Sequence, residues 1–206
     1  MSDYFRFFGL PGSFNLTILM SLLALVMALI YRNKSHTLCL IAMLFSTGGD
    51  ILLMDFRDLS DWLPGYFYAG AALFVVAHFF YLFAFRARLK DLPKPYSKIG
   101  VYAGGVICAV VFVYFTVTCI MRGELSIYPL AILYLAVIGA NCITIFTYAF
   151  SAYKKKPLAL LAAVGALSFF ISDLFIGLDK MAGIDTFNGY IWWFYPIGQI
   201  LLLIAP

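Results

Sequence analysis

Residues 157–178 read PLALLAAVGALSFFISDLFIGL, an unbroken apolar run whose one charged side chain is Asp173. As a helix rising ~1.5 Å per residue, a run of this length crosses ~30 Å of hydrocarbon, and it lacks the strict alternation that a barrel strand requires. Further runs of the same kind cover Ser13 to Tyr31, Thr37 to Met54, Gly65 to Phe85, Ile99 to Ile120, Ile127 to Phe150 and Tyr190 to Ala205. With 64% hydrophobic and 12% charged residues in 206 positions, and a mean hydropathy of +0.97, the sequence is too apolar for a water-soluble domain. Backbone N–H and C=O groups in lipid must be satisfied within their own segment. The expected fold is therefore all-α, a polytopic transmembrane bundle of about seven helices forming one domain over residues 1–206.

The net charge of +4 does not point to nucleic acid, because the basic residues sit in clusters between the apolar runs. Arg32, Lys34, Arg86, Arg88, Lys90, Lys94, Lys98, Lys154, Lys155 and Lys156 follow the first, third and fifth runs. Arg6, Arg57, Arg122 and Lys180 fall on the other side with most of the acids. The positive-inside rule then puts the N-terminus outside and the C-terminus in the cytoplasm, in the inner membrane if the source is bacterial. The first run has no basic stretch before it or small-residue cleavage site after it, so it reads as a span rather than a cleavable signal. Cys39, Cys108, Cys119 and Cys142 lie inside apolar runs without C-x-x-C pairing and read as packing residues. Phe45, Ser46, Asp50 and Gly65-Tyr66 are echoed by Phe170, Ser172, Asp173 and Gly189-Tyr190, which suggests a 3+1+3 plan of parallel repeats.

An ionisable group inside a span is costly and is by default a functional hypothesis. Asp50 and Asp173 are such groups; counted from Thr37 and Pro157 they lie ~20 and ~24 Å along their helices, at similar depth in the outer half. Two carboxyls meeting in a secluded cavity would divide one proton, giving an acid and a base. Ser46 stands one turn before Asp50, Ser172 lies beside Asp173, and Gly48-Gly49 leave room for close approach. On the third run Ala71, Phe74, His78, Tyr81 and Phe85 share a face. Tyr134, Asn141 and Tyr148 do so on the fifth, and the seventh adds Trp192, Tyr195 and Gln199. These stripes point polar groups inward, either to line a substrate site or to hydrogen-bond between helices. Counting puts His78 nearer the cytoplasm than the aspartates, which sets a structural role beside a site role. Gly100-x-x-x-Gly104 is a helix-packing motif and a candidate homodimer face. Walker, G-x-S-x-G, H-E-x-x-H and dinucleotide patterns do not occur, and no metal is expected.

Taken together and in order, Ser46 to Met54 (STGGDILLM), Leu63-Pro64-Gly65, Ala77 to Phe85 (AHFFYLFAF), Gly165 to Leu178 (GALSFFISDLFIGL) and Tyr195 to Leu203 (YPIGQILLL) resemble the YhhN-type lysoplasmalogenases. No single piece is specific; the resemblance is spread over about the last four fifths of the chain. It implies a helical bundle with an intramembrane site and functional aspartates at Asp50 and Asp173. It also implies hydrolysis of the vinyl ether of a lysophospholipid substrate within the bilayer, without a metal or organic cofactor. The sequence departs from that pattern in showing seven runs where eight spans are often described, and in lacking an early Lys-Pro-containing segment. In the expected mechanism one aspartate protonates the vinyl ether carbon and the other activates water, while Ser46, His78, Tyr81, Tyr134, Asn141, Ser172, Tyr195 and Gln199 line the substrate site.

The alternative reading is a proton-coupled transporter carrying protons on the same carboxyls, distinguishable by flux without product. A retinal photoreceptor would need a Schiff-base lysine on the seventh run, which has none.

Overall fold

The computed structural model describes residues 12–54, 61–90, 92, 97–123 and 128–206, and among them seven α-helices and no strand. They are α1 (Gly12–Tyr31), α2 (Lys34–Leu53), α3 (Tyr66–Lys90), α4 (Lys98–Arg122), α5 (Tyr128–Ala152), α6 (Leu160–Ala182) and α7 (Asn188–Ile204). The first six are long and apolar enough to cross a membrane, and α7 has 17 residues. Each apolar run has become one helix, so the chain is a multi-pass integral membrane bundle. Arg6, Arg57, Lys94 and Ile127 of the sequence reading lie outside the described residues.

Local chemistry sets several of the ends. The Asn33 side chain accepts from the His36 N–H at 3.0 Å, and the Ser97 side chain from Gly100 N–H at 3.3 Å, so α2 and α4 begin on side-chain caps. Gly123 (φ +73°) and Gly183 (φ +63°) end α4 and α6 in the left-handed region, where a Cβ is unfavourable. Pro157 opens a 3-10 turn, Pro157–Ala159, that leads into α6. The helices overrun the apolar runs at their basic ends, since Lys and Arg can lay their methylenes on the bundle and keep the charge at the headgroups.

The closest pairings are α2 with α3 and α6 with α7; α5 touches α3, α4 and α6, and α1 rests on α2 and α7. Glycines make the tight crossings. A Cβ on Gly49 would stand 2.6 Å from the Phe74 ring and 3.1 Å from the Gly70 carbonyl, and one on Gly198 would stand 2.7 Å from the Phe169 backbone nitrogen. Gly100 and Gly104 lie against α5, where added Cβ atoms would be 2.6 Å from the Phe146 carbonyl and 2.9 Å from the Ile143 Cα. The glycine face of that motif is thus filled by α5 of the same chain.

The core joins Met20, Met43, Phe74, Tyr81, Phe85, Ile145, Phe169 and Leu202 around the bundle axis. Large apolar side chains also face outward, among them Leu19, Leu44, Val106, Leu133, Val164 and Ile197. In water such a surface would drive aggregation; in lipid it costs nothing.

Candidate active site

Asp50, near the end of α2, is buried between α1 and α7. Its Oδ2 accepts from the Thr17 hydroxyl at 3.0 Å and from the Tyr195 hydroxyl at 2.6 Å. One turn before Asp50, Ser46 Oγ accepts from Gln199 Nε2 at 3.3 Å, while the Tyr81 hydroxyl donates to Gln199 Oε1. Helical spacing accounts for both rows, since 46 and 50 share one face of α2 and 195 and 199 one face of α7. Ser46, Asp50, Tyr81, Tyr195 and Gln199 thus form one polar cluster across three helices, as the stripes suggested.

Asp173 heads a second cluster. Its Oδ2 lies 2.9 Å from His78 Nε2, and His78 Nδ1 lies 3.0 Å from Asn141 Nδ2. An amide nitrogen can only donate, so Nδ1 receives with its lone pair and the ring hydrogen sits on Nε2, directed at the carboxylate. Asp173 Oδ1, Ser172 Oγ and Asn141 Oδ1 are buried and have no hydrogen-bond partner. Tyr134 lines the same cavity as Asp173. The Phe169 ring stacks on His78 at 4.8 Å and meets Tyr195 edge-on at 5.6 Å, so it touches both clusters.

Contact between His78 and Asp173 overturns the depth count. Helix α3 starts at Tyr66, which puts His78 ~18 Å in from that end, and α6 runs on to Ala182, which puts Asp173 ~14 Å in. The ~4 Å between them is within side-chain reach, whereas counting from the edges of the apolar runs had exaggerated it.

The two carboxyls occupy adjoining cavities rather than one. Asp173 lines an apolar cavity of about 40 Å³ with Phe67, Ala71, Phe74, Phe115, Tyr134 and Ile138. Asp50 and Tyr195 line a more polar one of about 220 Å³ with Met54, Asp179, Lys180, Asn188 and Trp192. Leu53 and Ile176 belong to both walls. No hydrogen bond joins the carboxyls, so the sharing of one proton directly between them is replaced by separate partners for each. Sequence reasoning missed Thr17, a lone hydroxyl in an apolar run, and missed the polar mouth formed by Asp179, Lys180 and Asn188, which had been read as loop residues.

Chemically, the arrangement offers a carboxylate held by two hydroxyl donors beside the more polar cavity, and a carboxyl with one empty oxygen beside an apolar cavity. No curated protein and no solved structure matches the chain. A model of the YhhN family does match, over residues 13–205, and the chain belongs to that family.

Proposed function

We propose that the protein hydrolyses the vinyl ether bond of lysoplasmalogens, releasing a fatty aldehyde and a glycerophospho-ethanolamine or glycerophosphocholine. Family membership supports this reaction class. The observation that carries it is the pair of adjoining cavities, one apolar and one more polar, each walled by an aspartate and meeting at Leu53 and Ile176. The glycerophosphate end occupies the more polar cavity, where the Lys180 ammonium, paired with Asp179 at 3.1 Å, turns to the phosphate, and the first alkenyl carbons reach the apolar one.

The order of atoms along such a substrate assigns the two roles. From the headgroup inward come the ether oxygen, the first alkenyl carbon and then the second, so the second carbon lies toward Asp173 and the first toward Asp50. Asp173 is the general acid. Its Oδ1 makes no close hydrogen bond, although the Tyr134 hydroxyl interacts with the carboxyl, and a proton carried there passes to the second carbon as the double bond's electrons take it up, leaving an oxocarbenium ion at the first. Asp50 is the base. Thr17 and Tyr195 both donate to Oδ2 and fix the carboxyl in place, and Asp50 removes a proton from the water that attacks the first carbon. The hemiacetal then collapses. The proton on Asp50 goes to the departing glycerol oxygen, the hydroxyl proton returns to Asp173, and both aspartates are restored.

The test is incubation of purified protein in detergent with a lysoplasmalogen and with its saturated-ether analogue, in deuterium oxide. Fatty aldehyde bearing one deuterium on its second carbon is expected from the first lipid only. Asp50→Asn and Asp173→Asn should each lower turnover by about 10³-fold. Aldehyde from neither lipid rejects the reaction class, and full turnover in either variant removes the role given to that aspartate.

A further inference from the structure

A second lipid-facing feature lies at the opposite end of the bundle from Asp50. Lys34 at the start of α2 and Arg86 and Lys90 near the end of α3, all exposed, stand around an open groove of about 630 Å³ between the two helices. Its remaining lining is Leu38, Phe83 and Ala87. Helical spacing produces this: Phe83, Ala87 and Lys90 follow one another along one face of α3, and Leu38 lies one turn after Lys34 on α2. Further toward the bundle centre, the half-buried rings of Phe45 and Phe80 stack at 5.6 Å across the same two helices and prolong the apolar track. Among the described residues, none of the three cations is in an ion pair.

Cations above an apolar floor, at the end of a membrane helix, discriminate between ligands. A soluble phosphate would use the cations and leave the floor empty. An acyl chain alone would use the floor and leave three charges without counter-ions. A zwitterionic lipid would bring its phosphate together with an ammonium that three cations repel. We infer that this groove binds an anionic glycerophospholipid of the surrounding leaflet, with its phosphate held by Lys34, Arg86 and Lys90 and one acyl chain lying over Leu38 and Phe83 toward Phe45 and Phe80. The site is separate from both cavities of the candidate active site, and nothing in its argument depends on the reaction proposed there.

The experiment is native mass spectrometry of the detergent-purified full chain, titrated separately with phosphatidylglycerol, phosphatidylcholine and inorganic phosphate. Phosphatidylglycerol should form a one-to-one adduct at least about tenfold more tightly than phosphatidylcholine, and inorganic phosphate should not displace it at equal concentration. Lys34→Gln, Arg86→Gln and Lys90→Gln should each weaken the adduct by about fivefold. These side chains are exposed, so the substitutions leave the packed interior untouched. Phe83→Gln should weaken the lipid adduct while leaving any binding of inorganic phosphate unchanged. Equal affinity for phosphatidylcholine, or an adduct unchanged in the triple glutamine variant, overturns the proposal. Displacement by inorganic phosphate overturns it in favour of a soluble-phosphate site.

Discussion

Asn141 decides which nitrogen of His78 carries the hydrogen, and through that it governs what Asp173 sees. Its amide donates to Nδ1, so the ring offers Nε2–H to the carboxyl. In the proposed reaction Asn141 acts through His78, as a positioning residue. Asn141→Asp would present an acceptor to Nδ1 and draw the hydrogen to that side, leaving Nε2 with a lone pair against Asp173. The expected result is a kcat for aldehyde release lower by about 10²-fold with KM nearly unchanged, and a pH profile of altered shape, whereas a variant that merely loosened packing would raise KM as well. Wild-type kcat in this variant would mean the tautomer is irrelevant. Much at this scale was legible beforehand. Charges in apolar runs announce themselves by their cost, and Ser46 with Asp50 or Tyr195 with Gln199 follow from helical spacing. Thr17 was not legible, because a single hydroxyl among leucines gives no sign of which neighbouring helix it faces. Nor was the division of the aspartates into two clusters, which depends on how the helices turn about their axes.

Whole helices were the easiest part to read, since hydrophobic runs of membrane-spanning length admit few alternatives. Their contacts were harder: Gly100 and Gly104 were recognised as a packing motif, but nothing in the local pattern said that α5 would fill it. The glycines also give a graded forecast. At Gly198 an added methyl meets the Phe169 backbone at 2.7 Å, which cannot give way without separating α6 from α7. At Gly49 it meets the Phe74 ring at 2.6 Å, and a ring can turn. At Gly105, on the outside of α4, it meets nothing within 4 Å. Gly198→Ala should therefore destabilise by about 3 kcal/mol and Gly49→Ala by about 1–2 kcal/mol. Gly105→Ala should be neutral or stabilise by up to about 1 kcal/mol. Thermal unfolding in detergent ranks the three, and equal midpoints for Gly198→Ala and Gly105→Ala would contradict the role given to the α6–α7 crossing.

At the scale of the molecule, charge and pairing both bear on organisation. Lys154, Lys155 and Lys156 mark one end, and Asp179, Asp185 and Asn188 lie near the other. With the basic end in the cytoplasm, a membrane-impermeant maleimide applied to intact cells should label Asp185→Cys, and should label Lys155→Cys only after permeabilisation. The chain's own four cysteines are buried or half-buried and should give a low background. The reverse pattern would invert the assigned orientation. Exchanging α1–α3 for α5–α7 turns α2 with α3 into α6 with α7, α1 with α2 into α5 with α6, and α3 with α5 into α7 with α1, all of which are observed neighbours. The exchange does not extend to α4, which packs against α5 and α6 and has no comparable packing against α1 and α2. The glycine crossings in the α2–α3 and α6–α7 pairs bring main chain close to main chain, with Phe74 and Leu53 packed directly on the first of them. Each pair should consequently behave as a stiff plank, and breathing of the bundle falls to α1 and α4, the least buried of the six longer helices. Amide deuterium uptake in a bilayer mimetic would register that division as slow exchange at the two crossings and faster exchange along the peripheral pair.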